Sequence, residues 1–175
     1  LLETALKWVS EDGDVAKYMA EHQLSPNAND LWLEFRNIIG WVQVTFPIKR
    51  KEMKNVDWGF LYKKYKENVY DVDELEKKIC ELMSDDEVTK KKGVYEYVLS
   101  GCINEKSLSL RGFSDKDKRA AYERQSGVCP ICGKTFKFED MDGDHIVAWA
   151  NGGRTIPSNL QMLCKKCNHE KSNRY

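Results

Sequence analysis

Cys129-Pro130-Ile131-Cys132 and Cys164-Lys165-Lys166-Cys167 form two Cys-x-x-Cys knuckles. Between them run Met141-Asp142-Gly143-Asp144-His145-Ile146-Val147, then Gly152-Gly153, then Ser158-Asn159-Leu160-Gln161-Met162-Leu163. A two-residue gap lets both thiolates of a knuckle turn onto one tetrahedral ion, at Zn–S distances of about 2.3 Å. In a chain without a secretion signal, such pairs read as zinc ligands before disulfides. Cys129, Cys132, Cys164 and Cys167 are therefore assigned to one structural Zn²⁺. The 31 residues separating the knuckles exceed a zinc-ribbon spacing, so something of its own must fold inside the loop. A strand carrying Asp144-His145, a glycine-marked loop and a second apolar strand make a hairpin. The run Cys164–Lys171 starts a helix behind it, giving a ββα unit pinned to its flanks by zinc.

This arrangement resembles the HNH nuclease family, over about residues 127–174. The likeness rests on four spacings at once: a CxxC, an Asp-His pair, an Asn fourteen residues after the His, and a CxxCN-x-x-K. The resemblance implies a ββα-metal active site in which His145 is the general base and Asp144 a ligand of a catalytic divalent cation. It also implies that Asn168, immediately after the last cysteine, is a second ligand, and that Asn159 orients the catalytic loop and His145. Many family members carry His where this chain has Asn168, so the site reads as a variant one. His169, one step further and roughly 100° around the helix, reads as a bystander.

Phosphodiester chemistry gives these roles a physical basis. Hydrolysis needs an activated water and a cation to neutralise charge growing on the phosphate. An imidazole titrates near the working pH, which suits His145 as base. Alternation along a strand turns Asp144 to the opposite face, where it can hold a metal. An oxygen-rich site suits Mg²⁺ or Mn²⁺ better than zinc. Two metals with different tasks are therefore expected, a closed Zn²⁺ on four thiolates and an open catalytic ion. Lys165, Lys166 and Lys171 read as solvated residues available to phosphates.

The remainder of the chain reads as helical, and the whole as an α-rich α+β protein. Trp32, Phe35, Ile39, Val42 and Phe46 recur at three- and four-residue steps, the pattern of one helix face. Trp58, Leu61 and Tyr65, then Leu75, Ile79 and Leu82, repeat it, with Asp71 or Asp73 as N-cap of the second stretch. Asp85–Leu99 is read as a further helix, and Ser114-Asp115 as the cap of one running to Gln125. Cys80 and Cys102 stand alone, as core thiols of helix or loop, and His22 is given no role. The boundary falls near residue 110, with a helical region of unassigned role at 1–110 and the nuclease domain at 111–175.

The 175 residues carry no formal net charge, but its distribution is uneven. Residues 111–175 hold 12 Lys+Arg against 8 Asp+Glu, while residues 1–110 hold 16 against 20. A basic C-terminal third is compatible with a DNA partner. No apolar run approaches the ~18 residues of a membrane span, and no signal peptide opens the chain, which points to the cytoplasm. The chain begins Leu1-Leu2-Glu3-Thr4 without Met, and reads as a fragment from which an N-terminal domain is missing. Helices ahead of a C-terminal HNH domain also resemble restriction proteins with a ParB-like N-terminal half, which implies restriction or antiviral defence. Two other classes compete: a zinc-framed DNA-binding module that does not cut, and a helical scaffold that forms homo-oligomers.

Overall fold

A computed structural model describes residues 1–172. The chain forms an α+β structure of two compact units, Leu1–Leu110 and Arg111–Tyr175. Among the described residues are eight α-helices and one two-stranded sheet.

The first unit is helical: α1 (Leu2–Val9), α2 (Val15–His22), α3 (Asn29–Thr45), α4 (Trp58–Tyr65), α5 (Val72–Ser84) and α6 (Val94–Leu99). Trp58, Leu61 and Tyr65 are buried, as are Leu75, Ile79 and Leu82, so α4 and α5 bury the faces their periodicity marks. Asp71 caps α5, its Oδ1 accepting from the Asp73 and Glu74 amides at 3.0 Å. Of the stripe expected on α3, Phe35, Val42 and Phe46 are buried, but Leu31 and Ile38 take the places of Trp32 and Ile39. The buried face of the helix is Leu31, Phe35, Ile38, Val42 and Thr45, whereas Trp32 is 51% exposed and Ile39 only half-buried. Both sets have helical spacing, and Trp32 keeps contact by laying its ring against Phe35 at 5.9 Å. Size and aromaticity did not decide the register. Phe46 closes the core beyond α3, against Trp58 and Tyr95 at 5.4 and 5.2 Å. Burial pushes the Tyr95 phenol up to about 12.

Asp85–Leu99 is not one helix. Only Val94–Leu99 is α-helical, behind a 3-10 turn at Lys91–Gly93. Lys91 Nζ donates to the carbonyls of Leu82 and Asp85, which closes off the C-terminal end of α5 and turns the chain back. Gly93 then passes so close to residue 107 that a Cβ would lie 1.7 Å from the Ser107 carbonyl oxygen, which only glycine permits. Cys80 is exposed and not a core thiol; its sulfur lies beside the half-buried ion pair of Arg50 with Glu76.

In the second unit, Ser114 caps α7 (Asp115–Arg124), its Oγ accepting from the Asp117 amide at 3.2 Å. The strands β1 (Met141–His145) and β2 (Leu160–Cys164) pair antiparallel, with Asp144 opposite Gln161 and His145 opposite Leu160. The helix α8 (Lys165–Ser172) follows β2 directly. The free edge of β2 is covered by side chains in place of a third strand. Gln125 donates to Met162 O at 2.9 Å and accepts from Met162 N at 2.7 Å, while Arg124 donates to Leu160 O at 2.8 Å. The core of this unit is small: Phe113, Ala121, Met141, Leu160, Met162 and Leu163 share it with three cysteines.

Candidate metal centre and nuclease site

Cys129 N donates to Lys134 O at 3.0 Å and Gly133 N to Cys129 O at 2.8 Å, a tight turn that aims Cys129 and Cys132 the same way. Cys164 ends β2 and Cys167 lies in the first turn of α8. All four sulfurs lie within 4.8 Å of one another. A tetrahedral zinc with bonds of about 2.3 Å needs sulfurs about 3.8 Å apart, so the donor set and its span fit one zinc ion. Three of the four are buried, a poor place for thiolates without a cation. Burial works against ionisation of Cys129, yet amide donors including Cys132 and Cys164 outweigh it and hold the thiol down to about 6. Cys167 is pushed up to about 12, chiefly by its contact with the Cys164 sulfur. A dication bound among the four sulfurs would favour their thiolate forms.

The hairpin brings Asp144, His145 and Asn159 to one end. Asp144 Oδ2 accepts from Gln161 Nε2 at 2.8 Å and from Lys171 Nζ at 2.5 Å. His145 leaves the other face of β1: its ring lies 4.5 Å from that of Phe113, and its Nε2 is 3.0 Å from Thr155 Oγ1. His145 does not simply face water, for it is half-buried and held on two sides. The Thr155 hydroxyl also lies 3.0 Å from the Arg111 carbonyl. A hydroxyl that donates to that carbonyl accepts from Nε2–H, which leaves the lone pair of His145 on Nδ1.

Asn159 spans the connection between the strands. Its Oδ1 accepts from Val147 N at 2.8 Å, and its Nδ2 donates to Val147 O at 3.0 Å and Arg154 O at 2.9 Å. Its own carbonyl accepts from Ile146 N at 2.9 Å. One side chain therefore ties the residues just beyond His145 to the far side of the loop. Gly153 makes the fit: a Cβ there would lie 1.8 Å from Val147 O and 2.8 Å from Asn159 Nδ2.

On α8, Lys171 reaches Asp144, so that face of the helix is turned to β1. Asn168 precedes it by three residues, about 60° around the axis, and is half-buried, whereas His169 is exposed. Lys165 and Lys166 are exposed as expected. Lys171 is not: its side chain is 22% exposed and ion-paired with Asp144. Sequence reading also passed over Phe113, Thr155, Gln125 and Gln161. None of these four contacts carries a spacing signal in the sequence.

Residues 129–174 match the family model described as HNH endonuclease. The likeness to HNH endonucleases is confined to this C-terminal segment. The match implies a nucleic-acid substrate and a nuclease type of activity, and it covers the knuckles, Asp144, His145, Asn159 and Asn168. No curated protein and no solved structure matches the chain significantly. Among the described residues no helix is long and apolar enough to cross a membrane.

Proposed function

We propose that the HNH domain is a metal-dependent endonuclease that hydrolyses phosphodiester bonds of DNA. The observation that carries this reading is the Asn159 clamp. Within the HNH-matching segment, its amide binds the main chain on both sides of the loop that begins at His145, the residue cast as base.

His145 takes a proton from the attacking water through Nδ1, its other nitrogen being engaged by Thr155. The water oxygen bonds to phosphorus as the bond to the leaving oxygen breaks, and that oxygen is protonated from solvent. Phe113 and Thr155 hold the imidazole, so little reorganisation precedes the transfer. Asp144 Oδ1 and the amide oxygen of Asn168 would hold Mg²⁺ or Mn²⁺. The donors are hard oxygens on one side of β1, and Asn168 shares a helix face with the lysine that reaches Asp144. When bound, the cation neutralises charge developing on the phosphate. Lys165 and Lys166 stand exposed at the start of α8, where they can meet backbone phosphates. The four-cysteine zinc has a structural task, since its ligand sphere is complete. Restriction or antiviral defence is the setting that the family resemblance implies for such an activity.

The test is incubation of supercoiled plasmid with the zinc-loaded chain, with Mg²⁺, with Mn²⁺ and with neither. Nicked or linear product only where a divalent cation is added supports the reading. Binding of DNA without cleavage under any of these conditions would favour the non-cutting zinc module.

A further inference from the structure

The feature of the site that neither motif nor match assigns is the ammonium of Lys171. It lies 2.5 Å from Asp144 Oδ2 and 2.5 Å from the main-chain carbonyl of His145, so one cation bridges both members of the Asp-His pair. Gln161, directly across the strand pair, donates to the same Oδ2 at 2.8 Å. Both donors thus use one carboxylate oxygen, Oδ2, and neither engages Oδ1. The pair is largely shielded, with side chains 22% and 20% exposed, so it is weakly screened by solvent.

We propose that Lys171 is a positioning residue that sets the metal affinity of the nuclease site. It fixes the Asp144 carboxylate so that a divalent cation engages Oδ1 alone, and it opposes that cation with its own charge. This rests on the reading of Asp144 as a metal ligand. Three consequences are built into the contacts. A carboxylate with one oxygen occupied binds a cation through a single oxygen and less tightly than a free one. A positive charge in contact with the same carboxylate repels a dication several ångströms away. The bond to His145 O couples the end of α8 to the strand end that carries the base. Metal binding is in this way traded against a fixed geometry, so removing Lys171 should strengthen the first and damage the second. A lysine that served only to hold α8 on the hairpin would behave differently: its loss would weaken metal binding, or leave it unchanged, together with activity.

The experiment is titration of the zinc-loaded chain with Mn²⁺, followed by calorimetry or the Mn²⁺ electron-spin signal, beside plasmid cleavage at saturating Mn²⁺. Lys171→Met is expected to bind Mn²⁺ about tenfold more tightly, the scale set by one removed like charge near the site. Its cleavage rate should fall about tenfold or more. Lys171→Arg keeps the charge and should stay within about threefold of wild-type affinity. Zinc content and melting temperature report folding, and Lys171→Gln serves in place of the Met variant if that one fails to fold. Unchanged or weaker Mn²⁺ binding in the folded Met or Gln variant overturns the proposal. A wild type that binds Mn²⁺, with the tightening in Lys171→Met, but cuts nothing refutes the nuclease reading and sustains this one. A wild type that binds no Mn²⁺ overturns both.

Discussion

Replacing Asn159 by Asp is the most discriminating single change in the loop, because it alters chemistry while leaving shape alone. The amide makes three hydrogen bonds to main chain, one as acceptor from Val147 N and two as donor to Val147 O and Arg154 O. Alanine forfeits all three. At about 1 kcal/mol each the ceiling is ~3 kcal/mol, and water at this half-buried position reduces it to ~1–2 kcal/mol. Aspartate keeps the bond from Val147 N but turns both donor contacts into a carboxylate facing carbonyl oxygens, at 2.9 and 3.0 Å. That arrangement cannot persist, so the loop opens at a cost of ~2–3 kcal/mol. If the cost falls on the geometry of His145, about 2 kcal/mol corresponds to a rate loss of ~30-fold. The assay is the initial rate of plasmid nicking at saturating Mg²⁺, with zinc content as the control for folding. Asn159→Asp should cut no faster than Asn159→Ala despite being isosteric, and should recover ground towards acid pH, where a protonated carboxyl regains a donor. An Asn159→Asp protein that cuts at the wild-type rate at neutral pH would refute the clamp.

Cys129→Ser or Cys164→Ser should remove about one zinc per chain and unfold the C-terminal unit, given metal binding worth on the order of 10 kcal/mol. Far-ultraviolet dichroism should show the helices of residues 1–110 retained, and a zinc-free protein with full activity would contradict it. Asn168→Ala should lose Mg²⁺-supported cleavage while His169→Ala keeps most of it, and Asn168→His should stay active with a shift towards Mn²⁺, Co²⁺ or Ni²⁺. Rates against metal concentration decide this, and the reverse ranking of the two alanine variants would place the helix register one residue off. Hydrogen bonding to Arg50, opposed by burial, holds the Glu76 carboxyl below its ordinary value. The pair thus stabilises the first unit above the ordinary glutamate range, and that stability is lost as pH falls through the lowered value. Glu76→Gln should therefore cost about 2 kcal/mol at neutral pH, with little further loss on acidification, as read from urea melts.

The knuckles, the Asp-His strand and Asn159 were legible in the sequence because each spacing encodes a geometric requirement that few residues meet. Two thiolates with two residues between them can turn onto one ion, and a strand pair needs a loop such as the glycine-marked one here. The face of α3 was less legible, since Leu31-Phe35-Ile38-Val42 and Trp32-Phe35-Ile39-Val42 are both helical patterns sharing half their members. Only the neighbouring helices choose between them. A lysine such as Lys171 reads as solvated until α8 is seen against β1, and its ion pair with Asp144 depends wholly on that approach. Thr155 and Phe113 carry no spacing signal at all. They are brought to His145 from ten residues after it and from the stretch ahead of α7, by loop and core packing that local pattern does not describe.

Whether His145 acts as a base in metal-dependent cleavage is decided by His145→Ala. Wild type and variant, each zinc-loaded and matched for melting temperature, are compared for plasmid nicking in Mg²⁺ and Mn²⁺ and for DNA affinity without added metal. The expected rate is lower by about 10² or more, the scale of a lost general base, with zinc content and DNA affinity nearly unchanged. A folded His145→Ala protein that nicks plasmid as fast as wild type would contradict it.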